Sequence, residues 1–122
     1  QHKKILVVED NDFVRMQIVR YLQEAEFDVF EAGDGEAALE AMTDEVGLAI
    51  VDVRMEPIDG FAFLKTLRTR ENKTPVVLVT GDQDPELLNE SQKWGVAAVL
   101  MKPVQKDRLV KMATRAMRRK KN

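Results

Sequence analysis

No cysteine occurs in the chain, which excludes disulfides and thiolate metal sites and fits a reducing compartment. No apolar run approaches the roughly 20 residues that span a bilayer. The start, Gln1-His2-Lys3-Lys4, leads into no signal-like segment, so a cytoplasmic protein without a membrane partner is expected. Neither a G-x-G-x-x-G turn nor a P-loop follows the first apolar run, which disfavours nucleotide or flavin binding. No linker or low-complexity stretch divides the 122 residues, and 44% apolar character suits one core better than two. A single domain over 1–122 is therefore expected, with 118–122 a basic helix end or linker stub. Arg118, Arg119, Lys120 and Lys121 carry +4, so the net charge of −2 leaves −6 on the other residues. An acidic body of that kind argues against direct nucleic-acid binding.

What the chain does have is alternation. Short β-rich runs near 4–9, 27–31, 48–52, 75–80 and 96–101 are separated by helical patterns, at the spacing of βα units. Most of the runs are continuously apolar, as strands covered on both faces are. Val14, Ile18, Leu22 and Ala25 make one helical stripe; Phe61, Leu64 and Leu67 make a second, and Leu109, Met112, Ala113 and Ala116 a third. Asp84 before Pro85 reads as a helix N-cap and first residue, opening a fourth helix over 85–93. That helix has little apolar periodicity and is expected at the rim. Gly33 and Gly35 break the chain after the second strand, and Gly95 ends the fourth helix. The pattern predicts an α/β fold of five βα units.

Four of the runs stop at polar residues. Ile5 to Val8 ends in Glu9 and Asp10, Ala49 to Val51 in Asp52, Val76 to Val79 in Thr80, and Ala97 to Met101 in Lys102. In a parallel sheet all of these lie at one edge, where α/β proteins bind their ligands. Glu9, Asp10 and Asp52 crowded together repel one another unless a cation neutralises them. Their oxygens select a hard ion, Mg²⁺ first and Mn²⁺ second, with water and phosphate completing the shell. A carboxylate beside such an ion can attack phosphorus and become an aspartyl phosphate. Lys102 can supply a point charge and Thr80 a hydroxyl donor to a phosphate oxygen.

In order, Val8-Glu9-Asp10-Asn11, Asp52-Val53-Arg54-Met55, Asp59-Gly60, Thr80-Gly81 and Lys102-Pro103 resemble the receiver domain of two-component response regulators, over Lys4 to about Arg119. The resemblance implies a doubly wound, flavodoxin-like (βα)5 sandwich with a parallel sheet in order 2-1-3-4-5. It implies that Asp52 is the phosphoacceptor, that Glu9 and Asp10 hold Mg²⁺ with Asp52, and that Arg54 contributes its backbone carbonyl. Thr80 and Lys102 become the phosphate contacts, and the Lys102-Pro103 bond is expected to be cis. His2, in a terminal segment, reads as solvated, so the phosphodonor belongs to a partner: a histidine kinase or a histidine phosphotransfer protein. An output domain, or a homodimer through the face of helices four and five, is a further expected partner. The chain is read as a signalling domain rather than an enzyme, assisting its own phosphorylation and autodephosphorylation.

Blander readings compete. Asp52 also suits a turn cap, Lys102 a snorkelling surface lysine, and Thr80 an ordinary strand position. A phosphorylation-independent pseudoreceiver keeps the fold but lacks an acid, the acceptor or the lysine, and none is lacking here. An aspartyl-phosphate hydrolase needs a second acid near the nucleophile, where this chain has Arg54, and a cap for which there is no spare length. Asp59-Gly60 reads as a turn opening helix three, the six methionines as gap-fillers, and Trp94 as packing against the end of helix four. Arg54 and Asp82 are expected to flank the phosphate and pair across it. Two positions depart from the family pattern: Glu56 intervenes before Pro57, and Val99 stands where an aromatic residue is common. Valine is smaller and stiffer at χ1, which places the usual aromatic switch in question.

Overall fold

Ten elements alternate along the chain in a computed structural model that describes residues 3–55, 58–81 and 85–119. They are β1 (Lys4–Val8), α1 (Asp12–Glu24), β2 (Val29–Ala32), α2 (Gly35–Ala41), β3 (Val46–Asp52), α3 (Gly60–Thr69), β4 (Val76–Thr80), α4 (Pro85–Lys93), β5 (Ala98–Met101) and α5 (Lys106–Arg119). The five strands form one sheet in order 2-1-3-4-5 with every pairing parallel. That is the doubly wound, flavodoxin-like order, with its crevice at the carboxyl ends of β1 and β3. The expected N-cap Asp84, the Arg54–Asp82 pair, the Glu56-Pro57 departure and His2 involve positions outside the described residues. No described helix is long and apolar enough to cross a membrane.

The continuous apolar runs are explained by two cores, one on each face. Leu6, Val8, Ala49, Val51 and Leu78 point to α2, α3 and α4, where Phe63, Leu64 and Leu67 meet them. Ile5, Val7, Leu48, Ile50 and Val77 point the other way, onto Ile18 and Leu22 of α1 and Leu109 of α5. Successive side chains of a strand alternate between faces, so a strand covered twice must be apolar at every position. The exposed Met16 departs from the reading of the methionines as gap-fillers, whereas Met55 is buried.

Three helices end in the same way, and this shifts two strand boundaries. After α1, Phe27 N–H donates to Leu22 O (3.1 Å) and Glu26 N–H to Gln23 O (2.9 Å), with Glu26 at φ 71°. After α3, Asn72 bonds Leu67 and Glu71 bonds Arg68, with Glu71 at φ 62°. After α4, Val96 bonds Ser91 and Gly95 bonds Gln92, with Gly95 at φ 70°. These are Schellman closures. Residues 27 and 96 thus complete helices, and β2 and β5 start two residues later than their β-rich runs suggest.

Close packing accounts for two glycines. Gly60, the first residue of α3, lies so near the end of β3 that a Cβ would come within 2.5 Å of Asp52 O. Gly35 is the first residue of α2 rather than a simple chain break, and a Cβ there would lie 2.7 Å from Ile58 Cβ. Asp59 opens α3 by accepting from Ala62 N–H at 2.8 Å, as expected of an N-cap. The fourth helix is at the rim: among its described side chains only Leu87 and Ser91 are buried. Trp94 packs against the α3-side core, donates from Nε1 to Glu90 Oε2 (3.3 Å), and carries Lys65 Nζ 5.7 Å from its ring centroid.

Candidate functional site

Where β1 ends, the chain turns into α1 through Glu9, Asp10 and Asn11. Asn11 caps the helix, its Oδ1 accepting from Val14 N–H at 3.0 Å, while its own N–H donates to Glu9 Oε2 at 3.1 Å. Glu9 is 1% exposed. Arg15, one turn into α1, holds this corner: Nη1 donates to Glu9 O (2.6 Å), Nη2 to Asp12 Oδ1 (2.7 Å) and Nε to Glu31 Oε1 (3.2 Å). Asp10 is left exposed beside them.

Asp52 closes β3 and is 4% exposed. The register β1–β3 sets Val8 against Val51, so Glu9 and Asp52 leave adjacent strands side by side. One oxygen from each of Glu9, Asp10 and Asp52 lies within 4.8 Å of the others. Lys102 reaches in from the end of β5, with Nζ 3.2 Å from Asp52 Oδ1 and 3.4 Å from Glu9 Oε1. Its backbone N–H donates to Thr80 O at 2.8 Å, which ties β5 to β4 at the same edge, and the Lys102-Pro103 bond is cis. Thr80 is 1% exposed. Gly81 follows it, and a Cβ there would meet no atom within 4 Å, so this side of the edge is open.

The electrostatics follow from the burial. Burial pushes the Glu9 carboxyl up to about 6; the Asn11 N–H opposes this, the charge of Asp52 adds to it, and Lys102 opposes it. Burial alone would lower the Lys102 pKa, but the charges of Asp52 and Glu9 outweigh it and raise it. Glu9 Oε1 is buried without a hydrogen bond among the described residues. A buried carboxylate oxygen with no hydrogen bond and the Lys102 Nζ 3.4 Å away, beside two further acids that offer oxygen ligands alone, suits a hard divalent cation such as Mg²⁺.

The expected residues are thus gathered at one edge. Glu9, Asp10, Asp52 and Lys102 form the cluster, Thr80 ends the next strand, and Arg54 is the second residue of the loop after β3. Arg54 is exposed and lines, with Asp10, Asp59, Phe61, Glu86 and Leu87, an open cleft of about 830 Å³. Asn11 and Arg15 are the positioning residues that sequence reasoning missed. An asparagine before an apolar stripe signals a cap and could have revealed the first. Nothing in the local pattern reveals the second.

Comparison with known proteins agrees with this geometry. The family model described as response regulator receiver domain matches residues 5–114. The transcriptional regulatory protein FixJ of Bradyrhizobium diazoefficiens is 33% identical over 115 residues, covering 93% of this chain and 56% of FixJ. The chain therefore spans about half the length of that relative. A probable chemotaxis protein CheY of Rhizobium etli is 33% identical over 104 residues, covering 82% of this chain and 81% of the relative. Among solved structures, the chemotaxis protein CheY4 of Vibrio cholerae superposes with a TM-score of 0.86 at 30% identity, over 95% of this chain and 99% of that one. With fold, strand-end residues and matches over nearly its whole length in accord, the chain belongs to the response regulator receiver domain family of two-component systems.

Proposed function

We propose that Asp52 accepts a phosphoryl group in a Mg²⁺-dependent reaction and that the modification switches the domain between two conformations. The observation carrying this reading is the position of the Asp52 carboxylate, buried at the end of β3 and 3.2 Å from Lys102 Nζ, within reach of two further acids. The donor is a phosphohistidine of a histidine kinase or a histidine phosphotransfer protein. An Asp52 oxygen attacks phosphorus, the P–N bond breaks, and the imidazole leaves with the electron pair. Glu9, Asp10, Asp52 and the Arg54 backbone carbonyl would hold the ion, which when bound supplies neutralisation of the acids and of the phosphoryl oxygens. Mn²⁺ would fit the same donors.

Lys102 then moves its charge from the Asp52 carboxylate to a phosphoryl oxygen, and the Thr80 hydroxyl donates to another. Such placed charge and donors are most of what phosphoryl transfer requires. The domain turns over no separate substrate; water reaching the phosphorus hydrolyses the acyl phosphate. The loops after β3 and β4 respond, which biases the face formed by α4, β5 and α5 by population shift. That face serves an output domain or a second copy. Val99, half-buried against the α3-side core, leaves this route to packing shifts rather than to an aromatic rotamer.

Acetyl phosphate with Mg²⁺, followed by intact mass, tests the reading. One phosphate should appear on the wild type and none on Asp52→Asn or in excess EDTA. Modification that persists in Asp52→Asn would show that the acceptor lies elsewhere.

A further inference from the structure

At the edge of the sheet opposite β5, strand β2 is paired on one side only. Ile5 N–H donates to Asp28 O at 2.9 Å and Glu9 N–H to Ala32 O at 3.1 Å, so the even-numbered residues of β2 turn their backbone groups to β1. Val29 and Glu31 turn theirs outward, where neither meets a backbone partner among the described residues. A strand edge left in this state is a template for another strand.

The charge around this edge is of one sign. Residues 24–45, from the last residue of α1 to the residue before β3, hold nine acids and no base, so the other 100 residues sum to +7. Eight of the nine acids are exposed. Local structure accounts for some of them: Glu24 is held by Lys106 at 2.7 Å, Glu31 by Arg15 at 3.2 Å and Glu45 by Lys4 at 3.6 Å, and Asp34 caps α2 by accepting from Ala37 N–H. Glu26, Glu36 and Glu40 form no ion pair among the described residues. Glu36 suits the first turn of α2, but Glu40 lies in the last turn, where the dipole opposes a negative charge, and the two are like charges at i, i+4, an arrangement that destabilises a helix. Solubility alone is met by mixed signs.

We propose that the β2 edge takes up an extended Lys/Arg-rich segment of a partner protein as an added strand. An extended chain offers donors and acceptors in step with Val29 and Glu31, and a cationic one gains from the acids around them. A second copy of β2 would set acid against acid across the new pair, and a nucleic acid is repelled for the same reason. Strands β1, β3 and β4 lie between β2 and β5, so this edge and the face formed by α4, β5 and α5 can be occupied at once. The proposal does not rest on the chemistry at Asp52.

A labelled peptide of alternating Lys and Val, about eight residues long, titrated with the whole chain at physiological salt and read by fluorescence anisotropy, tests it. Amide hydrogen exchange of the chain is followed residue by residue by NMR. The wild type should bind, and exchange of the Val29 and Glu31 amides should slow about tenfold or more at saturation. Glu36→Lys/Glu40→Lys should weaken binding about tenfold or more, and Glu71→Lys/Asp107→Lys, an equal charge change elsewhere, should alter it less than about twofold. Glu36→Gln/Glu40→Gln, a milder change, should give an intermediate loss with the wild-type circular dichroism spectrum. Absence of binding, equal losses in the two reversed pairs, or unchanged exchange at Val29 and Glu31 with the peptide bound would overturn the proposal. Slowed exchange there on raising the protein concentration alone would overturn it too, since a second copy would then be the occupant.

Discussion

Taking a carboxylate out of water costs free energy unless donors replace the water, and Glu9 is 1% exposed with Oε1 unbonded. Its pKa of about 6 against an ordinary 4.5 means that the folded chain holds this proton more tightly than the unfolded one. Stability from this group is therefore fully present below about pH 4.5 and lost as pH rises through about 6. The loss is about 2 kcal/mol. In EDTA, the urea midpoint should fall across that window, and Glu9→Gln should flatten its share of the fall. Mg²⁺ added at pH 7 should raise the wild-type midpoint and do so less for Glu9→Gln. A midpoint for Glu9→Gln that falls as steeply as the wild type would remove Glu9 as the source.

Among the elements, the helix endings hold the clearest strain. Glu26 and Glu71 occupy left-handed backbone, at φ 71° and 62°, in closures where the α4 ending uses Gly95. A side chain there costs about 1–2 kcal/mol relative to a right-handed residue, and glycine avoids the clash. Glu71→Gly should therefore stabilise the protein by about 1 kcal/mol, offset in part by the greater freedom of glycine in the unfolded chain, and Glu26→Gly should act alike. Denaturant melts followed by circular dichroism would measure both. A destabilised Glu71→Gly would mean that the Glu71 side chain makes a compensating contribution.

The same closures explain why element boundaries were less legible than elements. A β-rich run at 27–31 or 96–101 looks the same whether its first residues pair with a strand or finish a helix. The bonds that decide, such as Val96 N–H to Ser91 O, depend on one residue adopting positive φ. Gly95 announces that conformation in sequence; Glu26 and Glu71 do not. The site was more legible because its acids and lysine stand where apolar runs stop. The roles of Arg15 and Arg68 were not, since each joins several acceptors that only the folded loops bring together, Glu9 O, Asp12 and Glu31 for Arg15. Arg68 reaches Asn72 O and Thr74 O at 3.0 Å and Trp94 O at 3.1 Å, and no periodicity encodes that.

For the molecule as a whole, the sheet separates two cores that share strands but not side-chain contacts across the pleat. Leu67→Ala on the α3 side should cost about 2–5 kcal/mol and Ile18→Val on the α1 side about 0.5–1.5 kcal/mol. Far apart on opposite faces, the two should add to within about 0.5 kcal/mol in the double variant. Urea unfolding of the three variants checks this. A larger deviation would show that strain crosses the sheet.

Trp94 is the sole tryptophan, and it sits where Glu90, Lys65 and the Arg68 guanidinium converge on the seam between α3 and α4. The protein thus carries its own fluorophore, placed on the layer beside the cleft rather than on the sheet. Emission from it reports the α3–α4 seam, whereas far-ultraviolet dichroism averages over all ten elements. Recorded together on one sample, the two signals would distinguish a seam that loosens first from a domain that opens all at once, with no label attached.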